Sequence, residues 1–444
     1  MNKYLNDLLI KYEKKYAHET EFLQSLRKML ASIEECILPK HEKLNIVERL
    51  IEADKVITFR VSYLNDKNEV CVHNAYRIQH NALLGPYKGG MRFTPSVNLS
   101  IIKFLAFEQT FKNALTGLPL GGGKGGSDFD PRGKSDGEII RFCQALMTTL
   151  YQHISQFLDV PAGDIGVSDK EVGYMYGMYK KLTGEPGGVF TGKNPVSGGS
   201  LGRKEATGYG LCFFVEKMLN TYRNDTFIGK KIIVSGSGNV GIHAAEKAVR
   251  LGAKVIAVND ISGCIVNENG LDIEALKQLK NDRNRQIKDY LKVDSKSTFY
   301  ADPKQIWTVK CDLAFPCATQ NELNLYDAKL LVKNGCFLVA EGANMPVESE
   351  ALEYFKLHDV LFAPGKAANA GGVAASGLEM TQNSMRLFYT FEEVETKLKA
   401  IMENIFTEIY ETAKKFKAPF DLQKGANICA FIKLAEAMEN QGII

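Results

Sequence analysis

The chain has 444 residues, 45% of them apolar and 24% charged, a balance that suits soluble globular structure and allows two or three domains. Fifty-five basic residues face 52 acidic ones, and a net charge of +3 leaves no bulk electrostatic case for nucleic acid or a membrane surface as partner. No apolar run approaches the roughly 20 residues of a membrane span, the first residues hold no apolar leader core before a cleavage site, and the expected location is the cytoplasm.

Residues 1–50 alternate apolar and charged positions at helical spacing, with Thr20 as the expected N-cap of EFLQSLRKMLASIEECI. In VITFRVSYLNDKNEVCVHNAYRIQHN, two β-rich runs flank Asn65-Asp66-Lys67-Asn68 and predict a hairpin. Two glycine-rich stretches follow, GPYKGGMRF and LGGGKGGSDFDP, separated by the helical pattern LSIIKFLAFEQTFKNAL. Residues 137–157 read as helix, DVPAGDIGVS as a loop, and KEVGYMYGMYKKL as a helix whose Met/Tyr stripe is core packing rather than a cofactor box. GEPGGVFTGKNPVSGGSLG, residues 184–202, reads as a hinge or boundary. Beyond it KKIIVSG, AKVIAVND, CDLAFPCA, CFLVAEGA and VLFAPG are short buried-type strands, most of them separated by helical stretches, the texture of a parallel sheet. The closing GANICAFIKLAEAMENQGII is an amphipathic helix expected to return to the first domain.

Nine cysteines lie at positions 36, 71, 143, 212, 264, 311, 317, 336 and 429, with no CxxC pair and no accompanying histidine cluster. They are expected to be free and mostly buried, and no metal site is expected. His80 is expected to be a structural histidine.

The strongest local motif is IIVSGSGNVGIHAAEKAVRLGAKVIAVND. Gly236-Ser237-Gly238-Asn239-Val240-Gly241 is GxGxxG between a strand and a helix, and the next strand ends in Asp260, the full context of a dinucleotide-binding unit. Its glycines permit a tight turn and bring a pyrophosphate to the helix N-terminus, where unpaired N–H groups favour negative charge. Asp260 alone favours the free ribose of NAD. Lys280, Arg283 and Arg285 could offset its charge towards a 2′-phosphate, so these residues leave NAD or NADP open.

A phosphate loop is the first thought for Lys124 within GGGKGG, but residue 118 is leucine where a glycine is required, and residue 125 is glycine rather than Ser or Thr. Gly187–Asn194 fails similarly, lacking the hydroxyl after Lys193. Lys88, Lys112 and Lys124 each sit in or beside turn-like sequence. Two ammonium groups could anchor a substrate with two carboxylates while a third does chemistry, since clustered cations lower the pKa of the most buried one. Asp164, between glycines in PAGDIG, is available as acid/base partner.

GPYKGGMRF, FEQTFKNALTGLPLGGGKGGSDFDP, VPAGDIGV, EATGYG, PCATQNEL, AEGANMP and NAGGVAASGLEMTQN, in order along nearly the whole chain, closely resemble the hexameric glutamate dehydrogenases of bacteria and lower eukaryotes. The resemblance implies an α/β fold of two domains. A substrate and oligomerisation domain with a mixed sheet would span 1–200, completed by the helix at about 424–444, and a Rossmann-like, doubly wound dinucleotide domain would span 201–423. It implies reversible conversion of glutamate to 2-oxoglutarate and ammonium, and a homohexamer. Lys124 and Asp164 would be catalytic, and Lys112 with Gln109 would hold the α-carboxylate. Lys88 with Ser376 would hold the side-chain carboxylate, with Gly89, Asn369 and Val373 also at the substrate. Thr207, Gly236, Ser237, Gly238, Asn239, Val240, Asp260, Ala318, Asn321 and Asn344 would contact the cofactor. Ser237 and Asn259-Asp260-Ile261-Ser262 lie closer to the pattern of NADP-type members, although Asn259 and Ile261 depart from it, so NADP is expected and NAD is the alternative. Lysine at 88 argues against a branched-chain or aromatic amino-acid dehydrogenase. The presence of Lys88, Lys112, Lys124 and Asp164 argues against a silent nucleotide-binding regulator.

Overall fold

The computed structural model describes residues 1–282 and 285–443. The chain forms two compact units, Met1–Arg203 with Val373–Val394 and Asn427–Ile444, and Lys204–Gly372 with Glu395–Ala426. Val373–Val394, which a linear division assigns to the dinucleotide domain, groups with the first unit. Its Gln382 side chain donates to the Gly199 carbonyl at 3.1 Å, and its Glu379 is ion-paired with Lys193. The end of the closing helix Leu422–Gln441 is tied to the same unit by Lys40–Glu439 at 2.8 Å.

The first unit carries strands β1 (Lys55–Leu64), β2 (Val70–Asn81), β3 (Tyr87–Phe93), β4 (Gly122–Ser127) and β5 (Asp159–Gly163), in the order β1-β2-β4-β3-β5. β1 and β2 form the predicted hairpin, closing at Leu64 opposite Val70. β4 runs antiparallel to β2 and parallel to β3, and β5 is parallel to β3, so the sheet is mixed.

Three local expectations are corrected. Thr20 is the first residue of its helix rather than the cap, because its hydroxyl bonds to Glu21 at 3.2 Å instead of a backbone N–H. DVPAG is strand β5 rather than loop; its proline is tolerated because β5 is an edge strand. The segment 184–202, read as a hinge or boundary, is a boundary rather than a hinge: the first unit gives way to the second at Arg203/Lys204, while Val189, Phe190 and Thr191 are buried in the first unit and Lys193 is paired there. The Met/Tyr helix packs as expected, with Met175, Tyr176 and Tyr179 in the core.

That core centres on Phe129 and Phe142, stacked with ring centroids 3.8 Å apart, and Phe93 meets Phe142 edge-on at 5.2 Å. Phe142→Ala is expected to destabilise the first unit by about 3–5 kcal/mol through the cavity it leaves; urea unfolding followed by circular dichroism checks this.

The second unit carries β6 (Lys231–Ser235), β7 (Lys254–Asp260), β8 (Gly263–Val266), β9 (Thr298–Tyr300), β10 (Leu313–Pro316), β11 (Leu338–Ala340) and β12 (Leu361–Ala363), in the order β12-β11-β10-β6-β7-β8-β9. The five strands from β12 to β7 are parallel, as expected. β8 and β9 add an antiparallel edge that the strand–helix alternation does not announce. Strand order reverses between β6 and β10, and this switch point is where doubly wound sheets bind ligands. No helix among the described residues is long and apolar enough to cross a membrane.

Candidate active site

In the first unit Lys88 and Gly89 lie on β3, Lys124 lies on β4, and Asp164 follows the last residue of β5. Lys112 and Gln109 lie on the helix Leu99–Leu115. The glycines around Lys88 and Lys124 are strand residues rather than turn residues, and their role is to let backbones touch. A Cβ at Gly89 would overlap the Gly123 carbonyl, one at Gly122 would overlap Thr110, and one at Gly125 would overlap Met91. Asn113 fastens the helix to this sheet, donating to the carbonyls of Lys88 at 3.0 Å and Gly121 at 2.5 Å. Gln109 in turn donates to Asn113 at 2.7 Å.

This close approach buries Lys124 against Asp164, Nζ to Oδ2 at 3.0 Å, while Arg92 Nε meets the same Oδ2 at 2.9 Å. Burial alone would raise the Asp164 pKa, but Lys124 and Arg92 outweigh it and hold the carboxyl at about 2. Burial lowers the Lys124 pKa, with Asp164 opposing. Lys112 is brought down to about 8 by burial and then by Lys124. Lys88 is 1% exposed, and burial followed by Arg77 and Arg203 pushes its pKa well below the ordinary lysine value. Its Nζ donates to the Val160 carbonyl at 3.0 Å. Ser376 is buried on the helix Gly371–Met385, in the part that groups with this unit, and Val373 lies one turn earlier.

Sequence reasoning missed Arg92, Arg203 and Asn113. Arg92 closes the motif GPYKGGMRF and Asn113 sits one residue beyond Lys112, so position within quoted motifs is the signal that could have found them. Arg203 acts electrostatically on both Lys88 and Lys112, and its buried Nε has no hydrogen-bond partner among the described residues. His80 is structural as expected, bonded through Nδ1 to the Thr110 hydroxyl at 2.9 Å; burial lowers its pKa to about 4.

In the second unit the GxGxxG turn leads from β6 into the helix Asn239–Arg250, with Gly238 as N-cap. Gly236 adopts φ +88°, where a side chain is disfavoured, and donates to Asn259 Oδ1 at 2.6 Å. A Cβ on Gly241 would overlap the Gly236 carbonyl, whereas nothing among the described residues lies within 4 Å of one on Gly238, so a ligand has room there. Asn239 donates to the Lys204 carbonyl at 2.7 Å, Ser237 is buried, and Val240 and Thr207 are half-buried on the first turns of two helices. Ala318 packs against Gly236, with its own N–H bonded to Glu322 at 2.9 Å. Asn321 takes a left-handed φ of +56° and donates to Met345 at 3.0 Å. Asn369 is carried by the second unit, where its amide donates to Asn344 Oδ1 at 2.9 Å.

Asp260 is already engaged, receiving Lys280 Nζ at 2.9 Å, the Ser262 N–H at 2.8 Å, the Ser262 hydroxyl at 2.5 Å and the Ile287 N–H at 3.2 Å. Arg285 pairs with Asp282 at 3.5 Å, and Arg283 lies outside the described residues.

Two family models match the chain, the Glu/Leu/Phe/Val dehydrogenase dimerisation domain over residues 53–181 and Glutamate/Leucine/Phenylalanine/Valine dehydrogenase over residues 198–442. The chain belongs to this dehydrogenase family. Similar members include the NADP-specific glutamate dehydrogenases of Escherichia coli, 51% identical with 99% of each chain covered, and of Psychrobacter, 49% identical with 98% of each covered. The crystal structure of Plasmodium falciparum glutamate dehydrogenase superposes with a TM-score of 0.97 at 48% identity, covering all of this chain and 95% of that one. The dehydrogenase family's two models thus fall on the two strand systems described above, with Lys88, Lys124 and Asp164 within the first and Asp260 within the second.

Lys88 and Lys112 both have lowered pKa values in the free protein, and an anion bound by a pair of lysines is held best when both are protonated. The association constant for glutarate, measured by isothermal titration calorimetry, is therefore expected to fall as pH rises through about 8, where Lys112 loses its proton. Binding that stays constant up to pH 9 would contradict these protonation states.

Proposed function

We propose that the chain is a glutamate dehydrogenase, converting L-glutamate to 2-oxoglutarate and ammonium, and back, with NADP. The observation that carries this reading is the convergence of Lys88, Lys112, Lys124 and Asp164 in the first unit, in a chain whose second unit is built around a complete dinucleotide motif. Relatives about half identical over their full lengths bear names with the same activity.

Lys112 with Gln109 holds the α-carboxylate, and Lys88 with Ser376 holds the side-chain carboxylate, with Gly89 and Val373 beside it. Arg203, near Lys88 and with a buried donor to spare, adds positive charge to the same end. An apolar side chain there would leave buried cations without a partner, which disfavours the leucine, phenylalanine and valine branch of the family. Lys124 activates the water that attacks the imino carbon and stabilises the resulting carbinolamine. Asp164, ionised in the free protein, takes and returns the proton at the amino nitrogen. Thr207, Asn239, Asn321, Asn344 and the turn Gly236–Val240 hold the dinucleotide, with Asn369 beside Asn344. When bound, the dinucleotide exchanges the hydride at the α-carbon.

NADP is favoured because Lys280 neutralises Asp260, the carboxylate that would otherwise repel a 2′-phosphate. A 50% identical relative from Xylanibacter ruminicola is named NAD(P)-specific, so use of NAD is the specific alternative. A homohexamer in the cytoplasm completes the reading; a Thermus thermophilus relative, 27% identical with a TM-score of 0.84, is described as a hetero-hexameric glutamate dehydrogenase.

Two variants test the roles. Lys124→Ala is expected to lower kcat by about 10²–10⁴-fold while NADPH binding, read by fluorescence titration, is retained; near-normal turnover would remove Lys124 from the chemistry. Lys280→Ala is expected to raise the KM for NADPH about tenfold or more, the worth of a hydrogen bond to a charged group, with a smaller change for NADH. Equal changes for both cofactors would show that Lys280 does not read the phosphate.

A further inference from the structure

The helix Gly371–Met385 carries Ser376 and Glu379 three residues apart, hence on one face. Glu379 is wholly buried. Its Oε1 meets Lys193 Nζ at 2.9 Å, and its Oε2 accepts the Gly192 N–H at 2.8 Å. Lys193, 1% exposed in its side chain, also donates to the Phe190 carbonyl and faces the Tyr176 ring with Nζ 5.5 Å from the centroid. Thr191, two residues earlier, donates its N–H to Pro161 at 3.0 Å and pairs with Ala162 on β5. The neighbouring Val160 carbonyl is the one that receives Lys88 Nζ. The stretch 189–193 is therefore fastened at one end to the strand that backs Lys88 and at the other to the helix of Ser376.

A buried ion pair is an expensive fastener, because desolvating both charges consumes most of their attraction and an apolar pair of similar volume usually serves as well. The surrounding charges give it a reason. Arg77 is held by Asp159, and Lys193 by Glu379, while Lys88 donates to a neutral carbonyl and Arg203 keeps its buried Nε without a partner among the described residues. Glu379 favours the protonated forms of both Lys88 and Arg203. It thus offsets positive charge at this end of the site without itself being exposed to the substrate space.

We propose that Glu379, clamped by Lys193 and the Gly192 amide, is a positioning residue that sets the preference for a second substrate carboxylate by holding the Ser376 helix against the Lys88 strand. This rests on the dicarboxylate reading given above. It acts through its neighbours and takes no part in bond making.

The test compares 2-oxoglutarate with 2-oxopentanoate, which has the same carbon chain without the second carboxylate, in steady-state reductive amination. Glu379→Gln removes the charge but leaves Lys193 buried without a counter-ion, so the double variant Lys193→Gln/Glu379→Gln, a neutral hydrogen-bonding pair, is made beside it. The ratio of kcat/KM for 2-oxoglutarate over 2-oxopentanoate is expected to fall about tenfold or more in both, carried by the KM for 2-oxoglutarate, with partial recovery in Glu379→Asp. An unchanged ratio, an equal fall for both substrates, or loss of the folded circular-dichroism signal together with activity in both variants would overturn the proposal. A wild-type chain that fails to turn over 2-oxoglutarate would instead remove the functional reading beneath it.

Discussion

The first unit depends on how closely strand β3 approaches strand β4. Gly89 lies against the Gly123 carbonyl with no room for a single carbon atom, and Gly122 lies equally close to Thr110 on the helix above. Because the backbones touch, Lys124 lies 8% exposed in its side chain and still reaches the Asp164 carboxylate at 3.0 Å. Glycine weakens an ordinary strand by adding conformational entropy to the unfolded chain and by leaving no side chain to pack. Here that cost secures a lysine beside a carboxylate, with backbone packed around both.

Electrostatics follows from the same burial. Lys88, Lys112, Lys124, Arg77, Arg92 and Arg203 outnumber the carboxylates that act on them, chiefly Asp159 and Asp164 on or next to strand β5 and Glu379, which is itself paired with Lys193. Arg77 and Asp159 neutralise each other beneath the sheet, and Arg92 and Lys124 share Asp164. Lys88 and Lys112 hold their protons less firmly than free lysines, and in the proposed reaction they meet the two carboxylates of the substrate. A substrate with two carboxylates answers that excess, and one with an apolar tail does not. The second unit shows the same economy on a smaller scale, where Lys280 neutralises the acidic end of strand β7 at Asp260.

Much of this was legible in the residues. The strand–helix alternation after residue 204 and the GxGxxG turn have local causes, burial periodicity and a backbone angle only glycine adopts freely, so the parallel part of the second sheet could be read directly. Strands β8 and β9 were not readable: both are short, β8 turns straight back on β7 through Ile261-Ser262, and β9 pairs with β8 only across the stretch from Val266 to Thr298. Lys88, Lys124 and Asp164 stood out as charges among glycines, but the glycines suggested turns. Only the sheet register shows that they are needed for close strand contact. Arg92, Arg203 and the Lys193–Glu379 pair were hidden for a related reason. A charged residue whose partner lies 72 positions away, as for Arg92 with Asp164, or 186 away, as for Lys193 with Glu379, looks like any solvated surface charge until the chain is folded.

The central claim is that buried lysines selected for two carboxylates serve a hydride exchange with NADP. The most direct measurement is the initial rate of absorbance loss with 2-oxoglutarate, ammonium and either NADPH or NADH. The account predicts rapid, ammonium-dependent oxidation of NADPH and a much slower rate with NADH. A preference for NADH would contradict the part assigned to Lys280 at Asp260, and no rate with either cofactor would contradict the assignment of Lys88, Lys112, Lys124 and Asp164 to this reaction.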